Sequence, residues 1–106
     1  NVFKYMLNAE CFILTSLWED PGFVLVEAAL ANLPIISSKC PNGPEEILGE
    51  NGYLFKNNDL DDLSSKFKDF LKTSKSEIYK NKVIVKKRVK KFTLLKNFKK
   101  LNQIIN

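Results

Sequence analysis

The chain has 106 residues, 44% of them apolar and 27% charged, which is enough for one small domain and too apolar for wholesale disorder. It has no histidine and two cysteines, which excludes Ser/His and Cys/His catalysis within these residues, a disulfide framework and most zinc sites. The net charge of +5 is unevenly placed: residues 1–58 carry three lysines against seven acids, residues 59–106 fourteen basic residues against five acids.

No apolar run approaches the ~20 residues of a membrane span. The absence of an initiator Met before Asn1 points to a chain cut from a longer one. "VFKYMLN" (2–8) reads as a short helix. "CFILT" (11–15) is a continuous apolar run, as expected of a buried parallel strand. The loop "SLWEDP" follows, then a helix over about 22–32 with Pro21 at its start and Leu33-Pro34 ending it. "IISS" (35–38) reads as a second buried strand, "KCPNGP" as a turn, "EEIL" as a helical turn and "YLF" (53–55) as a third strand.

Beyond that point the pattern is helical. Asp59 reads as an N-cap, with an apolar stripe of Leu60, Leu63, Phe67, Phe70 and Leu71 behind it. Ser76 is expected to cap a second helix, with Ile78, Val85, Val89 and Phe92 on one face, and Thr93 a third. The order predicts an α/β fold: the second half of a Rossmann-like domain, a short parallel sheet with flanking helices and a helical basic tail. Residues 1–58 would form an α/β half-domain, and 59–106 the C-terminal helices of the same domain.

From Pro21 to Ala31 the only ionisable side chain is Glu27, set in a helix that is apolar nearly all round. Such a helix is normally buried, and a buried glutamate needs a partner. In open α/β sheets, ligands bind beyond the carboxyl ends of the strands, where "SLWEDPGF" would cross. There Glu19 would sit in the loop, and Gly22 and Phe23 would open a helix whose free N–H groups suit a phosphate. Glu27, about one turn further in, would suit a ribose diol. The alternative is a solvated loop acid at Glu19 and an exposed or lysine-paired Glu27.

The stretch "SLWEDPGFVLVEAA", with Glu19 and Glu27 eight positions apart, closely resembles the signature of glycosyltransferase family 4, the glycosyltransferases group 1. "NLPIISSKC", "NGPEEIL", "NGYLF" with "NNDLDDLSSKF", and "FTLLKNFKKL" resemble the family's later segments in order. The "EDPGF" and "CPNGPEEIL" variants look most like bacterial enzymes of lipopolysaccharide, capsule or exopolysaccharide synthesis. The resemblance implies the C-terminal, donor-binding part of a GT-B enzyme and retaining transfer from a nucleotide sugar such as a UDP- or GDP-sugar. It implies no metal or other cofactor, and a glycan or lipid-linked acceptor. Glu19, the candidate catalytic residue, would orient donor-sugar hydroxyls. Amides around Gly22, Phe23 and Val24 would meet the sugar and diphosphate, and Glu27 would hold the ribose.

The usual Glu-Gly-Phe is here Glu19-Asp20-Pro21-Gly22-Phe23, so the loop does not map one to one. The family's phosphate-binding Arg/Lys pair and acceptor domain would precede Asn1, which predicts an inactive isolated chain. The rival reading is a non-catalytic nucleotide- or protein-binding module derived from such a domain. Asp59-Leu60-Asp61 resembles a metal-binding Asp-x-Asp, but reads better as a helix N-terminus far from the strand ends. Cys40 and Asn42 would lie in the loop after the second strand, near the pocket.

The basic tail reads as a solvated helix face or as a surface for anionic partners. Lys86, Lys87, Arg88, Lys90 and Lys91 have no interleaved aromatic residues within their run, so no nucleic-acid partner is expected. Peripheral contact at the inner face of the plasma membrane is compatible with a cytoplasmic transferase that meets a lipid-linked acceptor.

Overall fold

The structure, a computed structural model, describes residues 2–15, 23–39 and 44–105; of residues 2, 3, 23 and 92–105 it describes the backbone alone. Three parallel strands form one sheet in the order β1 (Phe12–Leu14), β2 (Ile35–Ser38), β3 (Tyr53–Phe55). Phe12 stands opposite Ile35, and Ile36 opposite Tyr53. The helices are α1 (Val2–Met6), α2 (Phe23–Leu30), α3 (Pro44–Leu48), α4 (Leu60–Lys72) and α5 (Lys75–Ile105), with a 3-10 turn at Gly49–Asn51. The α/β class and the three expected strands are therefore present. α2 connects β1 to β2, and α3 with its 3-10 turn connects β2 to β3.

Because side chains alternate across a strand, the sheet has two differently treated faces. On one, Leu14 and Ile35, with Phe12 and Leu54 beside them, join a core with Leu25, Ala28 and Ala29 of α2, Ile47 and Leu48 of α3, and Val85 and Val89 of α5. Each fully buried aliphatic side chain there contributes about 1.5–3 kcal/mol relative to exposure. The other face carries Ile13, Ile36, Tyr53 and Phe55, with α4 packed over β3 and β2. Tyr53 meets Phe70 edge-on, 6.0 Å between ring centroids, and its hydroxyl is hydrogen-bonded to Thr73. β1 is not the fully buried strand its composition predicts. It lies at a sheet edge, and Ile13 is 41% exposed on the face that α4 leaves thinly covered.

The helix ends follow from local chemistry. Asn32 takes the left-handed conformation (φ 62°), its N–H donating to the Ala29 carbonyl and that of Leu33 to Ala28. This is a Schellman end, closed by the buried Leu33. Asp59 caps α4 as expected, accepting from the Asp62 N–H at 2.9 Å. Two sequence expectations fail in the tail. The cap of α5 is Ser74, not Ser76: its hydroxyl oxygen accepts from the Glu77 N–H at 3.2 Å, the Ser-x-x-Glu arrangement of a capping box. Nor does Thr93 start a third helix. The backbone is helical through Thr93 in a single 31-residue helix, because no residue from Lys75 to Lys91 breaks it.

Arg88 departs from the expected solvent-facing basic run. Its guanidinium donates to the carbonyls of Leu48 (2.8 Å) and Ile47 (3.4 Å), where the last turn of α3 has orphan acceptors and the negative end of its dipole. Gly49 follows at φ 50°, and a Cβ there would lie 2.9 Å from the same guanidinium. Lys86 likewise reaches from α5 to the Asn32 side-chain oxygen at the end of α2, donating to it at 3.2 Å.

Candidate functional site

The strands are parallel, so Leu14, Ser38 and Phe55 share one edge of the sheet, their carboxyl ends. β1 delivers the chain to that edge, and α2 brings it back toward the start of β2. The N-terminus of α2 is therefore at the ligand-binding edge of an open α/β sheet. Glu19 and Gly22 lie outside the described residues, as do Cys40 and Asn42 in the loop after β2. Phe23 is the first residue of α2, and its first four N–H groups, Phe23 to Val26, have no acceptor within the helix. Val24 is half-buried with its side chain against the core, so what it offers a ligand is its backbone.

Glu27 is the fifth residue of α2, about 6 Å along the axis from the first at 1.5 Å per residue. Leu25, Ala28 and Ala29 form the buried side of this helix, while Glu27 and the 38% exposed Leu30 lie on the opposite side. Glu27 is only half-buried, so α2 is not the enclosed helix that its composition predicts. Among the described residues no cation or hydrogen-bond donor engages its carboxylate. The lysine-paired alternative for Glu27 therefore finds no support among those residues. What remains is an acceptor-only group, held on a short rigid helix and open to solvent on one side.

The carboxyl edge holds further polar groups that sequence reasoning did not single out. Ser37 and Ser38 are buried at the end of β2, the Ser37 hydroxyl donating to the Ser38 carbonyl at 2.9 Å. Lys39 extends the ladder through its N–H to the Phe55 carbonyl and leaves its side chain exposed at this edge. Thr15, Asn58 and Asp59 line a recess with Phe55, Leu60 and Leu63. Asp59 is thus beside the strand ends, not far from them, because only Lys56 to Asn58 separate it from β3. Its carboxylate is engaged as the α4 cap, and that of Asp62 accepts from the Lys56 N–H at 2.8 Å. Asn58, at φ 59°, makes the turn between them. The sequence signal for this recess was the Asn-Asn-Asp turn directly after a strand.

Cys11 lies at the amino end of β1, the opposite edge. Burial pushes its thiol up from the ordinary cysteine range, and the neighbouring Glu10 carboxylate adds to that, so it is a poor nucleophile at neutral pH. No group of metal-ligating side chains occurs among the described residues, nor any helix long and apolar enough to cross a membrane.

A three-stranded parallel sheet with flanking helices and a helix N-terminus at its carboxyl edge defines a Rossmann-like α/β unit. The family described as glycosyl transferases group 1 matches residues 1–88, most of the chain. A protein of Methanocaldococcus jannaschii described as an uncharacterized glycosyltransferase is 46% identical over 48 residues, 45% of this chain and 12% of that protein's length. The chain belongs to the group 1 glycosyltransferases, as its motifs predict.

Proposed function

We propose that this chain is the distal half of the donor-binding domain of a retaining glycosyltransferase. Residues 1–58 carry the donor cradle, and residues 59–106 complete the domain with helices. The donor is a nucleotide sugar of the UDP or GDP type. The acceptor is a glycan or a lipid-linked carrier in bacterial surface polysaccharide assembly, at the inner face of the plasma membrane. The observation that supports this reading most is Glu27: a half-buried acceptor, uncommitted among the described residues, on the helix that enters from the carboxyl edge, within the stretch that matches the family.

In this reading the ribose hydroxyls donate to the Glu27 carboxylate, which offsets its partial desolvation. The diphosphate rests on the N–H groups of Gly22, Phe23 and Val24 and on the positive end of the α2 dipole, with no metal needed. Glu19 accepts from hydroxyls of the donor sugar and orients it for attack. Charge developing on the leaving diphosphate calls for cations beyond these residues, so the chain alone binds donor without turning it over.

The test is an amide-correlation NMR titration of the labelled chain with UDP, GDP and their sugar conjugates. Shifts confined to Gly22 through Glu27, and lost in Glu27→Ala, are expected. A well-dispersed spectrum that does not respond to millimolar nucleotide would reject the donor site and favour a non-catalytic module.

A further inference from the structure

From Ile78 to Asn106 the sequence contains no acid, and α5 carries Ile78 to Ile105 in one unbroken helix. Over Lys75–Lys91 its inner side is occupied by Val85 and Val89, with Ile78 half-buried beside them. At 3.6 residues per turn the outer side then carries Lys80, Lys87, Lys90 and Lys91, with the half-buried Lys86 on its flank. Tyr79, 67% exposed, and Val83, 36% exposed, lie in the middle of that stripe. Tyr79, Val83, Lys86, Lys87 and Lys90 also line one open groove together with Asn32 at the end of α2.

An ordinary solvated helix face intersperses acids with lysines at i,i+4, where each pair is stabilising. Here Lys82 faces Lys86, Lys86 faces Lys90 and Lys87 faces Lys91, all like-charge pairs at that spacing. This repulsion is uncompensated within the stretch and calls for negative charge from outside. The identity of the cations indicates what kind of partner supplies it. The sole arginine, Arg88, the residue suited to bidentate readout of bases and phosphates, is turned inward onto the α3 carbonyls. What faces out are lysines, point charges suited to a diffuse anionic plane, around an aromatic ring with a polar tip of the kind that settles at lipid headgroups.

We propose that the outer face of α5, from Tyr79 to Lys91, is a docking surface for an anionic lipid bilayer, with Tyr79 and Val83 at the headgroup level and the lysines around them neutralising lipid phosphates. The inference rests on that part of the proposed function which puts the acceptor at a membrane. Its test uses neither donor nor acceptor, so its failure and that of the donor site are separate results.

The experiment is co-sedimentation of the full chain with phosphatidylcholine vesicles, with and without phosphatidylglycerol, at low and high salt. Binding should require phosphatidylglycerol and be lost at high salt, where the screening length falls to about 3 Å at 1 M. Each neutralised lysine should weaken it about fivefold, so Lys80→Gln, Lys87→Gln and Lys90→Gln together cost about a hundredfold. All three residues are exposed and partnerless among the described residues, so the helix persists, which circular dichroism checks. Tyr79→Trp, in a Trp18→Phe background, should show a blue-shifted emission on anionic vesicles only. The proposal is overturned by the absence of phosphatidylglycerol-dependent binding, by a triple variant that binds like the parent, by an unshifted Tyr79→Trp emission, or by tighter binding to a duplex oligonucleotide than to the vesicles.

Discussion

The two faces of the sheet read alike in the sequence and differ in the structure. α2 and α5 on one face supply Leu25, Ala28, Ala29, Val85 and Val89, all buried. On the other, α4 has an apolar stripe at perfect helical spacing and not one fully buried residue: Leu60 is 80% exposed, Leu71 65% and Phe67 36%. A periodic stripe tells which side of a helix is apolar, and leaves open how much neighbouring surface there is to cover it. α5 covers its strip through two helices at once, whereas α4 meets mainly the narrow β3.

This contrast can be broken at its strong side first. Leu25→Ala, at a site 1% exposed beneath α2, should cost about 2–5 kcal/mol. That is a large share of the roughly 5–15 kcal/mol typical of a folded domain, and urea titration would read it directly. If the loss were below about 1 kcal/mol, the α2–α5 face would not be the core. Arg88→Met should come next, at about 1–3 kcal/mol, since it removes charge-assisted hydrogen bonds from the end of α3 while keeping the aliphatic stem. The same substitution in a Gly49→Ala background should lose less than it does alone. A Cβ at residue 49 already crowds the guanidinium, and a double-mutant cycle measures the coupling.

On the weaker face the effects shrink. Asp59→Ala should cost about 0.5–2 kcal/mol through loss of the α4 cap, and Leu71→Ala should stay within about 0.5 kcal/mol because its side chain is mostly in water. A Leu71→Ala loss approaching that of Leu25→Ala would mean that α4 is covered in solution. The smallest effect concerns reactivity. With Cys40 replaced by Ser, iodoacetamide should modify Cys11 more slowly in the native chain than in urea at the same pH, because the raised thiol holds less thiolate. Equal rates would show that Cys11 is as solvated as in the unfolded chain.

Much of the candidate site was legible in the sequence. Glu27 stands out chemically in an apolar helix, and the Glu19-to-Glu27 spacing carries the family resemblance. Whether Glu27 was enclosed or open was not legible, because that depends on which side of α2 meets the sheet. The recess of Thr15, Asn58 and Asp59 was missed for a related reason: Thr15 is distant in the chain from the other two and meets them only when β1 and β3 flank β2. The tail misled in a different way. Ser76 and Thr93 are good cap residues by type, but Ser74 has Glu77 three residues on to complete a box, and nothing before Thr93 stops the helix.

By itself, then, the sequence determined the local elements of this protein and their order as far as α4. Strand runs, the Asp59 cap, the charge split between the two halves and the family motif are all properties of neighbouring residues. Tertiary structure alone decided which cations are structural and which are free. Lys86, Lys87, Arg88, Lys90 and Lys91 are five consecutive-looking charges in the chain, yet Arg88 is drawn to the open carbonyls at the end of α3 and Lys86 to Asn32, while the other three face water. The physical reason is that a helix distributes adjacent residues 100° apart, so neighbours in sequence face different environments, and only packing says what those environments contain.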